Sequence, residues 1–413
     1  MKKMLIISRY TGHDASPYAG IKIHYHYLNK FIADGNFSIK LISFCNPGEN
    51  ANVDLHAKGI DADVSCADVS HNRTFFLLMH NWQNVPNYFG KTMGLENGYI
   101  RSITLKKLKA LKKQGYSPEI ILLEWTQILL MIRDIKKIFP LPFYCAIEHD
   151  VAFEKYGRTF HAAKGVQKIK EYLRLKCIKK TERSCLQAAD MIMVLDPKDR
   201  NVVVSSGINP EKVHVLAPYY TNYQGARYNP NNSNILFFGA MDRVENYKSI
   251  IWFIENVFNY LPSPYTLTIA GNKPHRSLEK FKSERIEITG FVPDILPYLQ
   301  NSFCMVAPLL LGAGIKIKIL EAMSAGLPVL TNSIGIEGIP AQNGVHYLHC
   351  EKPEEYLNVF KLIQQNRINL HTISGNAKKM VAQYYDLEQS FISYKEAILK
   401  GYANKKDALP HRV

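Results

Sequence analysis

The sequence contains no long uninterrupted hydrophobic run. The longest candidate, residues 119–139, is interrupted by Glu124, Arg133, Asp134 and two lysines, whereas a membrane-spanning helix needs about 18 or more apolar residues. The amino-terminal segment MKKMLIISRY holds only the apolar stretch MLII before Ser8, which is shorter than the apolar part of a signal peptide. We therefore expect a cytoplasmic chain without a membrane-spanning helix or a signal peptide.

Cysteine is scarce and is not arranged for metal binding. The seven cysteines are scattered, odd in number and form no C-x-x-C pair. This pattern is typical of reduced thiols in a cytoplasmic protein. We predict free thiols and no metal site.

Acidic residues are too few to balance the basic ones. The chain has 51 lysines and arginines against 36 aspartates and glutamates, a net charge of +15. Two predicted helices are strongly basic: residues 99–114 carry six basic residues between Arg101 and Lys113, and residues 164–183 carry eight. Such faces are usually solvated, but they also suit an anionic membrane surface. The charge alone does not choose between nucleic acid, membrane and an anionic substrate.

Short apolar strands alternate with amphipathic helices along most of the 413 residues. The opening residues read as strand 4–8, helix 21–33 and strand 39–44, and this order is typical of a parallel α/β sheet. Residues 219–234 show no periodicity and include five asparagines, so we interpret them as a linker. The sequence predicts an α/β protein with two domains.

The most informative stretch is APLLLGAGIKIKILEAMSAGLPVLTNSIGIEG, residues 307–338. It reads as a strand, a glycine turn, a helix stopped by Gly326 and a second strand. The glycine turn and the positive end of the helix form an anion site at the sheet edge. Lys316 and Lys318 add positive charge in the first helical turn, and the Glu321 carboxylate can accept two hydrogen bonds from a vicinal diol such as a ribose.

This stretch resembles the C-terminal signature of the group 1 glycosyltransferases, which have the GT-B fold. The signature P-L-x-x-G-A-G-x-x-x-K-x-x-E-A-M-x-x-G-x-P-V is matched at Pro308, Leu309, Gly312, Ala313, Gly314, Lys318, Glu321, Ala322, Met323, Gly326, Pro328 and Val329. The resemblance implies that Glu321 holds the ribose of a nucleotide sugar and that Gly312, Ala313, Gly314, Ile315 and Lys316 meet its diphosphate. Many members carry a sugar-contacting glutamate where this sequence has Ala313. We therefore expect other residues to contact the donor sugar here.

The resemblance extends to the first half of the chain. Gly20 lies where the family's glycine loop after the first strand faces the acceptor and the donor phosphates. In EHD, residues 148–150, His149 follows a central strand, and the family's histidine at this point lies against the donor sugar. The resemblance therefore makes His149 and Asp150 catalytic candidates, together with Glu321 and Lys318.

Further donor-binding candidates come from the second half. After Gly239, relatives commonly carry an arginine and a lysine where this chain has Ala240 and Glu245. The pattern instead resembles a subgroup with an asparagine seven positions on, here Asn246, and Arg243 and Lys248 are candidates to supply the missing charge. The turn with Gly290, Phe291 and Val292 resembles the family's base-contacting turn.

The resemblance implies two Rossmann-like domains that face each other across a cleft. We place the acceptor-side domain at 1–218, the linker at 219–234, the nucleotide-sugar domain at 235–382, a helix crossing back to the first domain at 383–400 and a loose tail at 401–413. The expected reaction is sugar transfer to a glycan or lipid-linked acceptor, with retention and with neither metal nor other cofactor. Its expected setting is bacterial capsule or lipopolysaccharide synthesis.

Other interpretations stay open at this point. A sugar-nucleotide epimerase uses the same fold, and a basic nucleic-acid-binding or membrane-binding α/β protein would need no catalysis. A dinucleotide dehydrogenase fits less well, because the third glycine of G-x-G-x-x-G is missing. The aspartates of DAD, residues 61–63, imitate the D-x-D metal motif of a different glycosyltransferase fold, but no hydrophobic strand leads into them.

Overall fold

The computed structural model describes residues 1–13, 18–45, 55, 59–66, 95–229, 231–312 and 314–408. The chain divides into two compact units. The N-terminal unit comprises Met1–Leu216 and Glu388–Val413, and the C-terminal unit comprises Ala217–Leu387.

Within the described residues, the N-terminal unit contains a parallel sheet in the order β3-β2-β1-β4-β5-β6-β7. Its strands are β1 Lys2–Ser8, β2 Phe37–Cys45, β3 Asp61–Cys66, β4 Ile120–Glu124, β5 Phe143–Glu148, β6 Met191–Val194 and β7 Val213–Val215. Its helices are α1 Ala19–Asp34, α2 Gly98–Lys113, α3 Thr126–Leu129, α4 Ile132–Ile138, α5 Ala152–Ala162, α6 Gly165–Ala188 and α7 Pro197–Ser205. β4 and β5 are apolar runs buried along their length, as expected of central parallel strands.

The described part of the C-terminal unit contains a second parallel sheet, in the order β10-β9-β8-β11-β12-β13. Its strands are β8 Asn234–Phe238, β9 Thr266–Ala270, β10 Ile286–Gly290, β11 Cys304–Ala307, β12 Val329–Thr331 and β13 Leu348–His349. Its helices are α8 Val244–Asn256, α9 Leu296–Gln300, α10 Ile317–Ala325, α11 Pro353–Gln364 and α12 Leu370–Tyr384. Helix α13, Leu387–Ala408, ends the described chain, and almost all of it belongs to the N-terminal unit.

The predicted fold class is confirmed, because both units are parallel α/β sheets flanked by helices. The predicted strand 4–8, helix 21–33 and strand 39–44 are present as β1, α1 and β2, and each begins two residues earlier than predicted. Helix boundaries differ more. The basic helix predicted at 164–183 runs from Gly165 to Ala188 as α6.

Residues 219–234, interpreted as a linker from their polar composition, are largely built into the C-terminal unit. Tyr220 and Ala226 are buried in its hydrophobic core. The Lys378 ammonium donates to the Ala226 carbonyl at 2.9 Å, and the Gln224 amide donates to the Lys378 carbonyl at 2.9 Å. Polar side chains that bond to the backbone of the unit give this segment a fixed place despite its lack of periodicity.

The carboxyl-terminal prediction was wrong in two respects. The helix predicted from residue 383 instead begins at Leu387, after α12 ends at Tyr384, and the tail expected to be loose after residue 400 is helical to Ala408. The Tyr402 hydroxyl donates to Glu119 at 2.7 Å, and the Lys405 ammonium bonds Asp190 at 2.6 Å. Long polar side chains thus fix this helix to the first sheet, although its composition resembles that of a solvated tail.

The thiol prediction holds only in part. Cys145, Cys177, Cys185, Cys304 and Cys350 are free. Cys45 is disulfide-bonded, contrary to the expectation. The parallel register of β2 and β3 pairs the backbone of Cys45 with that of Cys66 on the neighbouring strand. In the part of the chain that the structure describes, no helix has the length and apolar character needed to span a bilayer.

Gly401 provides a test of the packed carboxyl-terminal helix. A Cβ at this position would lie 2.5 Å from Cζ of the buried Phe143. Alanine is favoured over glycine in a helix by about 1 kcal/mol, so a loose helix would be stabilised by Gly401→Ala. We expect the opposite here, a loss of about 1–3 kcal/mol from overpacking, measured by urea unfolding. Asn404→Ala, at an exposed position of the same helix, is the control and should have little effect; a stabilised Gly401→Ala variant would contradict the packing.

Candidate active site

Both sheets reverse their strand order beside their first strand, between β1 and β4 and between β8 and β11. In open parallel sheets, ligands bind outside the carboxyl ends of the strands at such a reversal. The described site residues lie in or next to the loops that leave these strands.

In the N-terminal unit, a buried carboxylate lies between two histidines. Glu124, the last residue of β4, accepts a hydrogen bond from Nε2 of His149 at 2.9 Å and lies 3.3 Å from Nδ1 of His24 on α1. All three residues are at most 8% exposed. Burial alone would raise the pKa of Glu124, but the charge of His24 and the hydrogen bonds from both histidines outweigh it and lower the pKa to about 2. Glu124 is therefore an anion that holds the two rings.

Trp125 completes this group. Its indole stacks on the His149 ring with centroids 4.1 Å apart and contacts the rings of Tyr10 and His24 edge-on. Its backbone φ is 73°, in the left-handed region that few non-glycine residues adopt. Such strain costs on the order of 1–3 kcal/mol and clusters at functional sites. We infer that the strained turn is kept because it places the indole on His149.

The free nitrogen of His149 faces the start of α1. Nε2 is engaged by Glu124, and Nδ1 is buried without a hydrogen-bond partner. A Cβ on Gly20 would lie 3.5 Å from this Nδ1 and 3.6 Å from Nε1 of Trp125. The structure thus brings together Gly20 and His149, both predicted from the sequence. With its proton on Nε2, where it is donated to Glu124, the ring leaves Nδ1 as an acceptor for a ligand.

Asp150 is exposed, and the elements behind it contain buried acids. Glu182 of α6 accepts the N–H groups of Ala152 and Phe153 at 2.8 and 2.9 Å, which caps α5. Burial raises the pKa of Glu182 to about 7, and burial together with the charge of Glu182 raises that of Glu148. Glu148 is hydrogen-bonded to the Thr126 hydroxyl. These groups fix the turn that carries His149.

In the C-terminal unit, three glycines follow one another across the sheet edge. Gly239, Gly271 and Gly290 lie at the carboxyl ends of β8, β9 and β10. A Cβ on Gly271 would lie 1.7 Å from the Gly239 carbonyl oxygen, so only glycine fits there. Phe291, next to Gly290, is 69% exposed, and Val292 is partly buried. The predicted base-contacting turn thus lies at the end of the edge strand β10.

Asn246 and Lys318 are joined directly. The Asn246 side chain donates to the Ala240 carbonyl at 2.8 Å, and its oxygen accepts from the Lys318 ammonium at 2.8 Å. The ammonium also lies 4.3 Å from the centre of the Phe237 ring. These contacts hold Lys318, in the first turn of α10, beside the ends of β8 and β11.

Lys318 is surrounded by positive charge. Burial and the neighbouring Lys316 lower its pKa to about 7, and Arg243 adds to the effect while Glu245 opposes it. Arg243 is itself paired with Glu245. Lys248 is not part of this cluster: it is exposed, and it follows Asn246 by two positions, about 200° around the helix axis. Of the basic residues predicted to meet the diphosphate, Lys316, Lys318 and Arg243 thus lie close together, and Lys248 does not.

The glycine turn leads into α10. Lys316 directly precedes the helix rather than lying in its first turn, and its ammonium bonds the Gly314 carbonyl and lies 3.8 Å from Glu337. A Cβ on Gly312 would lie 3.2 Å from Cε of Lys316. Ile315 is partly buried against the core. Ala313 lies outside the described residues.

Glu321 lies one turn further along α10. Its Oε1 accepts the N–H of Thr221 at 3.2 Å. The neighbouring Ser324 hydroxyl accepts the N–H of Tyr223 at 3.1 Å. The segment 219–234 therefore orients the carboxylate that the sequence assigns to the ribose.

The described histidines, cysteines and acidic residues are not clustered as metal ligands. Among the described residues, no group of three or more histidines, cysteines, aspartates or glutamates could hold a metal ion. In the D-x-D imitation, Asp61 pairs with Lys40 and Asp63 with Lys107, on the edge strand β3. Both aspartates act in surface ion pairs.

Part of the C-terminal unit is similar to a known protein family. Residues 232–366 match the family model described as Glycosyl transferases group 1. The matched range lies within the C-terminal unit. The matched range includes Asn246, Lys318 and Glu321, so the Asn246–Lys318 pair lies in the part of the chain that is similar to this family.

The whole chain shares its fold with solved glycosyltransferases. HepE from Anabaena, in complex with UDP-glucose, is 12% identical with a TM-score of 0.66 over 97% of this chain and 100% of that one. The lipopolysaccharide outer core galactosyltransferase WaaB is 15% identical with a TM-score of 0.61 over 97% and 99%. These likenesses show that the chain has the GT-B fold.

A curated relative is an uncharacterized 44.6 kDa protein in the cps region of Klebsiella pneumoniae. It is 25% identical over 240 residues, which is 55% of this chain and 61% of the relative. The alignment therefore spans less than two thirds of that protein.

Sequence reasoning missed part of the site. It did not identify His24, Glu124, Trp125 or Tyr10 as site residues. A signal was present: Glu124 is the one charged residue of the strand IILLE, and a charge at the carboxyl end of a buried strand needs a partner. The partner could not be identified, because His24 lies 100 residues away in the chain.

Glu124→Gln tests the buried anion. Because the pKa of Glu124 is lowered from 4.5 to about 2, its stabilisation is present above the unfolded value and is lost as the pH falls toward 2. We expect the difference in unfolding free energy between wild type and variant to grow by up to roughly 3 kcal/mol between pH 2.5 and 5, measured with urea. Glu354→Gln, at an exposed position, should give a small, flat difference. A flat difference for Glu124→Gln would contradict the assignment.

Proposed function

We propose that this protein is a glycosyltransferase that moves a sugar from a nucleotide-sugar donor to a glycan or lipid-linked acceptor. The observation that carries the proposal is the Lys318–Asn246 pair at the start of α10, one helical turn before Glu321, within the residues that match the group 1 model. A fixed cation, a helix N-terminus and a carboxylate at this spacing suit the diphosphate and ribose of one ligand.

The donor diphosphate would lie against the first turn of α10. The helix dipole, free N–H groups and Lys318 would stabilise the negative charge that develops on the departing diphosphate. Asn246 fixes the ammonium before the donor arrives, so little reorganisation is needed during the reaction. We propose that this fixed positive charge serves in place of a metal ion. The departing phosphate would then take the acceptor's proton.

Glu321 would bind the ribose. Its Oε1 is already fixed by the Thr221 N–H, so the carboxylate is oriented before the diol arrives. A carboxylate has about four acceptor positions, which is enough for one backbone donor and two hydroxyls. The proposed role is orientation of the nucleoside, which holds the sugar–phosphate bond at the helix N-terminus.

His149 would act at the sugar end of the donor. Its Nδ1 acceptor, its buried position and the stacked Trp125 suit a sugar hydroxyl and the apolar face of a pyranose ring. Asp150, exposed at the same turn, is a candidate for the acceptor side. Transfer with retention is part of this proposal, and product NMR of the new anomeric centre would test it.

The proposed setting is the cytoplasmic synthesis of bacterial surface polysaccharide. The Klebsiella relative is described as a protein of a cps region, and WaaB as a lipopolysaccharide outer core galactosyltransferase. HepE is described in complex with UDP-glucose, so UDP sugars are the first donors to test.

A thermal-shift panel with UDP, GDP, ADP, TDP and CMP sugars, in EDTA, tests the donor proposal. A ligand that binds only the folded state adds about 2.7 kcal/mol at a hundredfold excess over its Kd. We expect one nucleotide series to stabilise the wild type and Glu321→Ala to lose this shift, because the ribose loses its acceptor. Glu354→Ala, at an exposed position in the same unit, is the control and should keep the shift. Absence of any shift in the wild type would contradict the proposal.

Proton uptake tests the role of Lys318. With a pKa of about 7 in the free protein, Lys318 is mostly neutral at pH 8, and a bound diphosphate favours its charged form. We expect uptake of nearly one proton per nucleotide sugar at pH 8, and affinity that falls by up to tenfold per pH unit above 7. Calorimetry in HEPES and in Tris measures the uptake.

Two variants complete the calorimetric test. Lys318→Met should bind weakly without proton uptake, whereas Lys248→Met, which changes an exposed lysine of α8, should behave as wild type. Wild-type binding without any proton uptake at pH 8 would mean that groups other than Lys318 bind the diphosphate.

A further inference from the structure

Helix α6 exposes large apolar side chains to solvent. Val166 is 84% exposed, Ile169 is 64%, Leu173 is 52% and Tyr172 is 49%. Single exposed apolar residues are common on protein surfaces, but a contiguous group marks an interaction site. These four residues lie within two turns of one helix.

Helical spacing places three of these side chains on one face. Val166, Ile169 and Leu173 follow each other at intervals of three and four residues, the spacing of neighbours on a helix surface. The buried residues of the same helix are Glu171, Ile178, Glu182, Cys185 and Leu186. These occupy the opposite side, so the apolar stripe points away from the core of the N-terminal unit.

The stripe is surrounded by positive charge. Helix α6 carries two acidic residues, Glu171 and Glu182, and they are only 4% and 0% exposed. Its exposed surface is therefore cationic. Lys170, Lys176 and Lys180 flank the stripe, and within the described ranges none of the three forms an ion pair. We call Val166, Ile169, Leu173 and these three lysines the docking face.

We propose that the docking face binds the surface of an anionic lipid bilayer. A bilayer offers hydrocarbon for the apolar stripe and negative headgroups for the lysines, which is the chemistry of an interfacial helix. Long lysine side chains can extend to the headgroups while the stripe enters the acyl boundary. Single-stranded nucleic acid would match the charge, but it needs several aromatic stacking surfaces, and Tyr172 is one aromatic residue beside three aliphatic ones.

Helix α2 provides a comparison within the same unit. It carries six basic residues between Arg101 and Lys113, but Ile100 and Leu108 are buried and its described residues include no exposed large apolar side chain. Charge alone therefore makes α2 an ordinary solvated helix. The sequence could not separate the two basic helices, because their composition is similar and only burial distinguishes them.

Vesicle co-sedimentation tests the proposal with the full chain. The probes are vesicles of phosphatidylcholine alone and vesicles with about 30% phosphatidylglycerol, at about 0.1 M salt. We expect binding to the anionic vesicles only, weakened by added salt because screening shortens the reach of the charges.

Two variants should separate the contributions to binding. Each lysine near the surface contributes about fivefold, so Lys170→Gln with Lys176→Gln and Lys180→Gln should weaken binding roughly 100-fold. Ile169→Ser with Leu173→Ser should weaken it at least tenfold.

The control changes the same charge on α2, through Lys106→Gln, Lys109→Gln and Lys113→Gln. This variant should bind vesicles clearly better than the docking-face lysine variant. Equal losses would mean that net charge, not the docking face, drives binding.

Measurements of thermal stability and oligomeric state test whether the chain itself or a second copy covers the docking face. Ile169→Ser with Leu173→Ser should leave the Tm unchanged; a lower Tm would mean that the chain itself covers the stripe. A dimer of the wild type that this variant dissociates would assign the face to a second copy. Binding to an oligonucleotide but not to anionic vesicles would overturn the proposal in favour of nucleic acid. None of these outcomes depends on sugar transfer.

Discussion

The parallel direction of the described strands is the constraint on which both sites depend. When all strands run the same way, every loop that follows a strand leaves at the same edge of the sheet. Residues distant in the chain therefore meet there: Glu124 and His149 follow β4 and β5, and the first helix brings His24. In the second sheet the same geometry joins Asn246 to Lys318. The chemistry of both units is a product of this topology and of the reversal in strand order.

Each site contains a buried ionisable group, and the neighbours of the two groups differ in how well they stabilise the charged form. Glu124 has two imidazole partners, so its charge is stabilised and its pKa falls to about 2. Lys318 has an amide partner and cationic neighbours, so burial lowers its pKa to about 7. The first group is satisfied in the free protein. The charged form of Lys318 is destabilised in the free protein, and an anionic ligand would stabilise it. This is expected of a binding site rather than of a structural ion pair.

The sequence predicted features that depend on local pattern and missed those that depend on distant contacts. The strands, the glycine turn before α10 and His149 could be predicted because apolar runs, glycines and a recognisable signature are local. His24 and Trp125 could not, because their roles arise only when α1 and β4 are side by side. The segment 219–234 and the helix after residue 400 were misjudged because polar composition does not reveal long side chains that bond to the sheet, such as Tyr402.

The stacking of Trp125 on His149 also affects the fluorescence of the protein. The sequence has three tryptophans, and the indole of this one lies 4.1 Å from an imidazole at a nearly parallel angle of 13°. At van der Waals distance, the emission of an excited indole responds to the charge and position of its neighbour. Trp125 is thus a built-in fluorophore that reports on the immediate environment of His149 without any label.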